Sequence, residues 1–226
     1  MRKWEQLPLD MQVEEVEDYY NILQQHKAGL VCKRIFDIIV ATMLVVILSP
    51  LLIILSIIIK IDSPGPVMFR QVRITAYGRE FKIFKFRTMV NNADKMGTQV
   101  TTKSDARITR VGKVLRGCRL DELPQLFNIL TGEMSFVGTR PEVPKYVNEY
   151  TNEMKATLLL PAGVTSRASI EYKDEERLLE DADNADEVYI NQVLPDKMKY
   201  NLEALKEFSF IADIKTMFAT VLAVIK

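Results

Sequence analysis

The chain has 226 residues, 48% of them hydrophobic and 27% charged, with 30 basic and 30 acidic side chains balancing to a formal net charge of zero. That length holds one globular domain of about 160 residues beside a membrane element and leaves a two-domain enzyme cramped. Two cysteines, Cys32 and Cys118, and one histidine, His26, exclude a disulfide framework, a zinc site of usual spacing and histidine-based triads, and they point to a reducing compartment.

Residues 1–32 read as a polar, acidic extension that packs loosely, with a short helix near Val13–Gln25. Glu14, Glu15, Glu17 and Asp18 precede the first apolar run, and no small-residue cleavage pattern follows it, so a signal peptide is not expected. From Ile38 to Ile59 there are 22 consecutive positions without a charge. As a helix they would reach about 33 Å, against a bilayer core of roughly 30 Å.

Pro50 sits near the centre of that run. It removes one amide donor, crowds the carbonyl of Val46 and costs about 3 kcal/mol in a helix interior, so a kink or break is expected beside Ser49. Each half then reaches mid-bilayer, and the chain can enter and leave by one face. Lys33 and Arg34 before the run, and Lys60, Arg70 and Arg73 after it, give both flanks the charge of a cytoplasmic side. The carbonyl freed by Pro50 needs a partner, which the Ser49 hydroxyl or a neighbouring helix can supply. The segment alone leaves a kinked crossing and a re-entrant hairpin equally open.

After Asp62-Ser63-Pro64-Gly65-Pro66, a stop and turn signal, Val67–Gln71 and Glu80–Phe86 read as strands of a hairpin turning around Ala76–Arg79. Residues 60–150 carry 16 Lys or Arg against 9 Asp or Glu, whereas 151–226 carry 9 against 14. The basic part suits anionic headgroups or a phosphorylated substrate. It is too weak an excess for nucleic acid, and no nucleic-acid module accompanies it.

From Asp105 the period becomes helical, with Val111, Val114 and Leu115 on one side and Arg107, Arg110, Lys113, Arg116 and Arg119 interleaved. That stripe is a solvated face or a surface for lipid and phosphate. Helical patterns return at Glu142–Leu158, near Glu175–Val193 and at Ile211–Ile225. In the last, Ile211, Ile214, Phe218, Val221, Leu222 and Ile225 form a stripe that suits core or a membrane interface.

Chemistry concentrates in residues 119–142. Pro124 is tolerable only in the first turn of a helix, which sets Asp121 at or near its N-cap, where free amides keep a carboxylate ionised and attract phosphate. An ionised carboxylate can attack phosphorus while its neighbour Glu122 holds a divalent ion. A plain helix cap is the simpler alternative. In Gly132–Glu142, flexible glycines precede Arg140, which is fixed before Pro141 and whose fork can grip phosphate or a planar base, or form a surface ion pair.

The order of segments resembles the bacterial sugar transferase family, the monotopic phosphoglycosyl transferases. The resemblance rests on Lys33-Arg34-Ile35-Phe36-Asp37, the apolar run with Ser49-Pro50, Gly65–Arg73, Phe84-Lys85-Phe86-Arg87-Thr88-Met89, Leu120–Asn128 and Gly132–Pro141, and it resumes at Phe208–Lys215. It implies a helix-dominated α+β protein: a re-entrant membrane helix over 33–61 broken at Ser49-Pro50, and a small cytoplasmic-face catalytic domain over 62–226 with a β-hairpin and amphipathic interfacial helices. The location implied is the bacterial inner membrane.

By the same resemblance Asp121 is the nucleophile and Glu122 its partner, both serving Mg2+. Lys85, Arg87, Arg119 and Arg140 are candidates for phosphate or nucleotide contacts. The implied reaction moves a sugar 1-phosphate from a UDP-sugar to polyprenol phosphate, releases UMP through an aspartyl-phosphosugar, and initiates surface glycan assembly. Two departures touch donor choice: Thr139 stands where the family usually has proline, and Pro161-Ala162-Gly163-Val164-Thr165-Ser166 replaces its Pro-Gly-Ile-Thr-Gly, before an acidic stretch at Glu171–Glu187. A metal-dependent lipid pyrophosphatase and a non-catalytic membrane scaffold are the rival classes. A second copy of the chain, as a homodimer, is a further candidate partner that no residue argues for.

Overall fold

The computed structural model describes residues 1–91, 93, 105–172 and 184–225. The start of the helix expected near Glu175, and most of the acidic stretch, lie outside the described residues. Helix α1 (Glu14–Gln25) opens with Glu14, Glu15 and Glu17 at its positive end, a favourable arrangement for a helix dipole. Its Val16, Tyr19, Tyr20 and Leu23 recur at helical spacing and are buried. They share one hydrophobic cluster with Tyr146, Leu194, Met198 and Leu205. The loose packing expected of residues 1–32 is therefore wrong: polar residues dominate the count there, but the apolar ones fall on one face and fill the core.

Helix α2 (Lys27–Asp62) is continuous and contains Pro50. The expected break is not an interruption of the helix. Ser49 Oγ donates to the Val46 carbonyl at 2.8 Å, the acceptor that Pro50 leaves without its amide. Along one side Lys33, Asp37, Ala41, Leu55 and Ile59 are buried, with Leu44, Val45, Leu48, Leu51 and Leu52 partly buried between them. The other side carries exposed Ile39, Val46, Ile47, Ile53, Ile57 and Ile61. By length and composition α2 can cross a membrane, with a mean hydropathy of 3.0 over its most apolar 18 residues.

The hairpin forms as expected. Strands β1 (Met68–Thr75) and β2 (Arg79–Phe86) are antiparallel, from Met68 opposite Phe86 to Thr75 opposite Arg79, around a tight turn at Ala76–Gly78. Strand β1 extends past Gln71 because cross-strand pairing continues to that turn. Helix α3 (Arg110–Gly117) starts at Thr109, whose hydroxyl accepts from the Gly112 amide. Its Leu115 is buried against Leu55, Ile59 and Phe86, whereas Val114, expected beside it, is exposed.

A single 3-10 turn, Leu120–Glu122, leads to α4 (Gln125–Thr131) and then to β3 (Met134–Val137). Strand β3 pairs in parallel with β4 (Ala162–Thr165), a sheet the sequence did not suggest because each strand has only four residues. Gly138 and Gly163 are required at its end: a Cβ on Gly163 would lie 2.2 Å from the Gly138 nitrogen. Gly138 therefore serves close backbone approach and not the flexibility expected of it.

Between the two strands, the single helix expected over Glu142–Leu158 is two pieces, α5 (Pro144–Val147) and a 3-10 run at Glu153–Leu159. Thr151 Oγ1 accepts from the Met154 amide in the gap, one of the local bonds by which such residues compete with a helix. After β4 come α6 (Arg167–Glu171), α7 (Ala185–Val188), a π turn at Tyr189–Val193, α8 (Leu194–Lys206) and α9 (Phe210–Ile225). Ile211, Phe218, Val221 and Leu222 of α9 are exposed, so that stripe is not core.

Candidate active site

Asp121 and Glu122 occupy the short 3-10 turn entered through Arg119, which has a left-handed backbone with φ of 53°. Pro124 is the N-cap of α4, so Asp121 lies three positions ahead of the cap and not at it. Burial pushes the Asp121 carboxyl above its ordinary value, against the opposing pull of Lys85 and Arg116. Its own backbone amide also favours the charged form, as expected of an amide beside a carboxylate, but burial outweighs that help. Among the described residues no other side chain forms a hydrogen bond or ion pair with Asp121.

Glu122 has the opposite surroundings. One oxygen, Oε1, accepts from Lys85 Nζ at 2.8 Å and from Arg140 Nη2 at 2.7 Å. Burial opposes its ionisation, but the two cations outweigh burial and hold the carboxyl well below the usual range. Burial in turn lowers Lys85. Strand β2 thus supplies Lys85, the loop after β3 supplies Arg140, and the turn before α4 supplies the dyad.

The other two cations do not join this cluster in the same way. Arg87 turns to the C-terminal end of α2, where Nη2 donates to the Ile59 carbonyl and to the carbonyl and hydroxyl of Ser63. There it satisfies carbonyls that the last turn of a helix leaves unbonded. Arg119 is exposed beside the dyad.

The residues that align these parts were read from sequence only as flanking charges or as members of motifs, without these roles. Asn128, fully buried, accepts from the Phe84 amide and donates to the Lys82 carbonyl, which fixes β2 and its Lys85 against α4. Lys33 donates to the Val137 carbonyl and pairs with Asp213 at 2.6 Å, Arg34 caps the end of α4 through the Ile129 and Leu130 carbonyls, and Asp37 accepts from the Phe136 amide. The available signal was the four-residue spacing of Lys33 and Asp37, which puts both charges on the inward side of an otherwise apolar helix. Glu142, two residues after Arg140, is buried and accepts from Tyr189 at 2.5 Å, with Lys197 at 3.7 Å and Arg73 at 3.9 Å.

A family model described as bacterial sugar transferase matches residues 28–226. The chain belongs to the bacterial sugar transferase family. Over 192 residues it is 36% identical to an Aeromonas hydrophila UDP-N-acetylgalactosamine-undecaprenyl-phosphate N-acetylgalactosaminephosphotransferase, covering 84% of this chain and 42% of that protein. It is 38% identical to an Escherichia coli K12 UDP-glucose:undecaprenyl-phosphate glucose-1-phosphate transferase over 194 residues, 84% of this chain and 39% of the relative. A Bacillus subtilis protein, a putative undecaprenyl-phosphate N-acetylgalactosaminyl 1-phosphate transferase, is 42% identical over 125 residues, 55% of this chain and 70% of its own length. The chain therefore spans less than half the length of the first two of these bacterial sugar transferases. The match begins at residue 28, just after α1, so the part of the core supplied by α1 lies outside it.

Among the described residues no group of three or more His, Cys, Asp or Glu side chains gathers as a metal site. Two carboxylates still fit Mg2+, which is usually held by one or two carboxylates together with substrate phosphates and water.

Proposed function

We propose that this bacterial sugar transferase is a phosphoglycosyl transferase that moves a sugar 1-phosphate from a UDP-sugar to polyprenol phosphate and releases UMP, as the first step of surface glycan assembly. The carrying observation is the division of labour in the dyad: Glu122 is bound by Lys85 and Arg140, while Asp121, its neighbour, has no side-chain partner among the described residues. An oxygen of the ionised Asp121 attacks the sugar-bearing phosphorus, and the bond to the UMP phosphate breaks with its electron pair leaving on UMP. An oxygen of polyprenol phosphate then attacks the same phosphorus, and the bond to Asp121 breaks to restore the carboxylate.

Lys85 and Arg140 offset charge on the phosphates while keeping Glu122 ionised. Arg119 stands at the exposed edge of the site, where it can meet an incoming phosphate. Mg2+ bound with the diphosphate would draw on Asp121 and Glu122 and would supply charge neutralisation.

The membrane arrangement we infer is re-entrant, on the cytoplasmic face of the inner membrane. Helix α1, before the apolar run, and α8, after it, share one core, and a simple crossing would separate them. The exposed apolar side of α2, with that of α9, would face lipid.

The test is release of UMP from a panel of UDP-sugars with Mg2+, with and without polyprenol phosphate, in the unsubstituted chain and in Asp121→Asn. Expected are UMP and a lipid diphosphate sugar from the first and a loss of at least 1000-fold in the second. Wild-type turnover in Asp121→Asn would remove the nucleophile assignment. Orthophosphate release with water as acceptor would favour a lipid pyrophosphatase, and no turnover with any donor a scaffold.

A further inference from the structure

A cavity of ≈ 420 Å³ opens beside Glu122. Its lining combines the charged Glu122, Arg119 and Arg140 with the apolar Leu44 and Leu48 of α2 and Ala223 of α9. These apolar side chains come from the two helices that also present exposed apolar faces, so the cavity is continuous in chemistry with the surface inferred to meet lipid.

A UDP-sugar is a poor occupant. It would bring hydroxyls and a uracil edge, each of which costs free energy if buried without a partner. The hydroxyls on the wall already have partners, which leaves few donors for such groups: Thr165 and Thr220 bond to each other at 2.7 Å, and Ser169 bonds to Ser166 at 3.0 Å. A phosphate attached to a branched hydrocarbon matches both kinds of lining, with its charge toward Arg119 and Arg140 and its first carbons along Leu44, Leu48 and Ala223. Gln125, which also borders the cavity, keeps its amide nitrogen buried and, among the described residues, without a hydrogen-bond partner. The volume is near the lower end of the roughly 300–1,000 Å³ usual for ligand pockets, enough for a headgroup and the start of a chain whose remainder stays in lipid.

We infer that this cavity is the acceptor site, taking the lipid phosphate and its first hydrocarbon units, and that α9 forms one of its walls. The inference rests on the transferase reading proposed above. The Lys33–Asp213 pair and the Thr165–Thr220 bond hold α9 in place as that wall.

The experiment fills the cavity from its two sides with Ala223→Trp and, separately, Leu48→Trp, and measures both half-reactions. Ala223 is exposed on α9, so its replacement does not disturb the core, and an intact UMP burst from UDP-sugar alone reports that the fold survives. Expected are a burst within two-fold of the unsubstituted chain, a KM for UDP-sugar within two-fold, and a KM for polyprenol phosphate raised ten-fold or more. A raised KM for UDP-sugar with an unchanged acceptor KM would assign the cavity to the donor and overturn the inference. Unchanged values for both substrates would overturn it too. If turnover occurs without a burst, the covalent route fails while the two KM values still decide the cavity's occupant. If the unsubstituted chain releases no UMP with any donor, the transferase reading falls and the inference with it.

Discussion

Asp121 and Glu122 are adjacent in sequence, yet their carboxyls are shifted in opposite directions. For Glu122 the folded value is depressed, so its stabilisation is present above its ordinary value of 4.5 and is lost only as pH falls well below it. For Asp121 the folded value is raised, so the relative stability it contributes is present below its ordinary value of 3.8 and is lost as pH rises through the folded value. Burial therefore makes ionisation of Asp121 costly to the fold, as suits a group kept for reaction. Asp121→Asn should be inactive and also more stable, with a thermal midpoint at pH 7 above that of the unsubstituted chain. The difference should shrink as pH falls below the ordinary aspartate value of 3.8, and an equal or lower midpoint at pH 7 would refute the burial argument. The dyad was legible in the sequence because two adjacent carboxylates precede a proline that must start a helix. Their opposite environments were not, because Lys85 lies 37 positions away and Arg140 18, and only folding brings both to one oxygen.

At the scale of elements, the attachment of α2 decides where the dyad sits. Lys33 and Asp213 form a largely buried pair, with side chains 9% and 18% exposed, linking α2 to α9 while Lys33 also holds the end of β3. Removing one member leaves an uncompensated charge, which typically costs about 3–5 kcal/mol, whereas replacing both by apolar residues is often neutral. Lys33→Met should accordingly lower the urea midpoint strongly, and Lys33→Met with Asp213→Leu should recover most of the loss. If the double variant were no more stable than the single one, the pair would not be the connection between these helices. The sequence marked α2, the hairpin and α9 through long periodic stretches and a clear turn. It missed β3, β4 and the division after α5, where short segments are set by distant pairing and by the Gly138–Gly163 approach. The family motif also suggested Arg87 as a phosphate ligand, since a basic residue just after the strand that carries Lys85 gives no sign that it caps a helix end.

For the whole molecule, the shared core makes topology measurable. With Cys32 and Cys118 replaced by serine, single cysteines at the exposed positions Asp18 and Glu203 should react with an impermeant reagent from the same side of sealed inner-membrane vesicles. Reaction from opposite sides would sink the re-entrant arrangement. The same core has a consequence during synthesis. Helix α1 leaves the ribosome before α2, but its partners on α8 are made only after α2 and all the residues between them. At about 5–20 residues per second, α2 is complete on the order of ten seconds before the domain that covers its inner side exists. In that interval Lys33 and Asp37 have no partners and the apolar helix has no protein surface to lie on. On the re-entrant arrangement proposed above, the membrane is the first partner α2 meets, and the domain must then assemble around a helix already in lipid, closing only when α1 docks against α8.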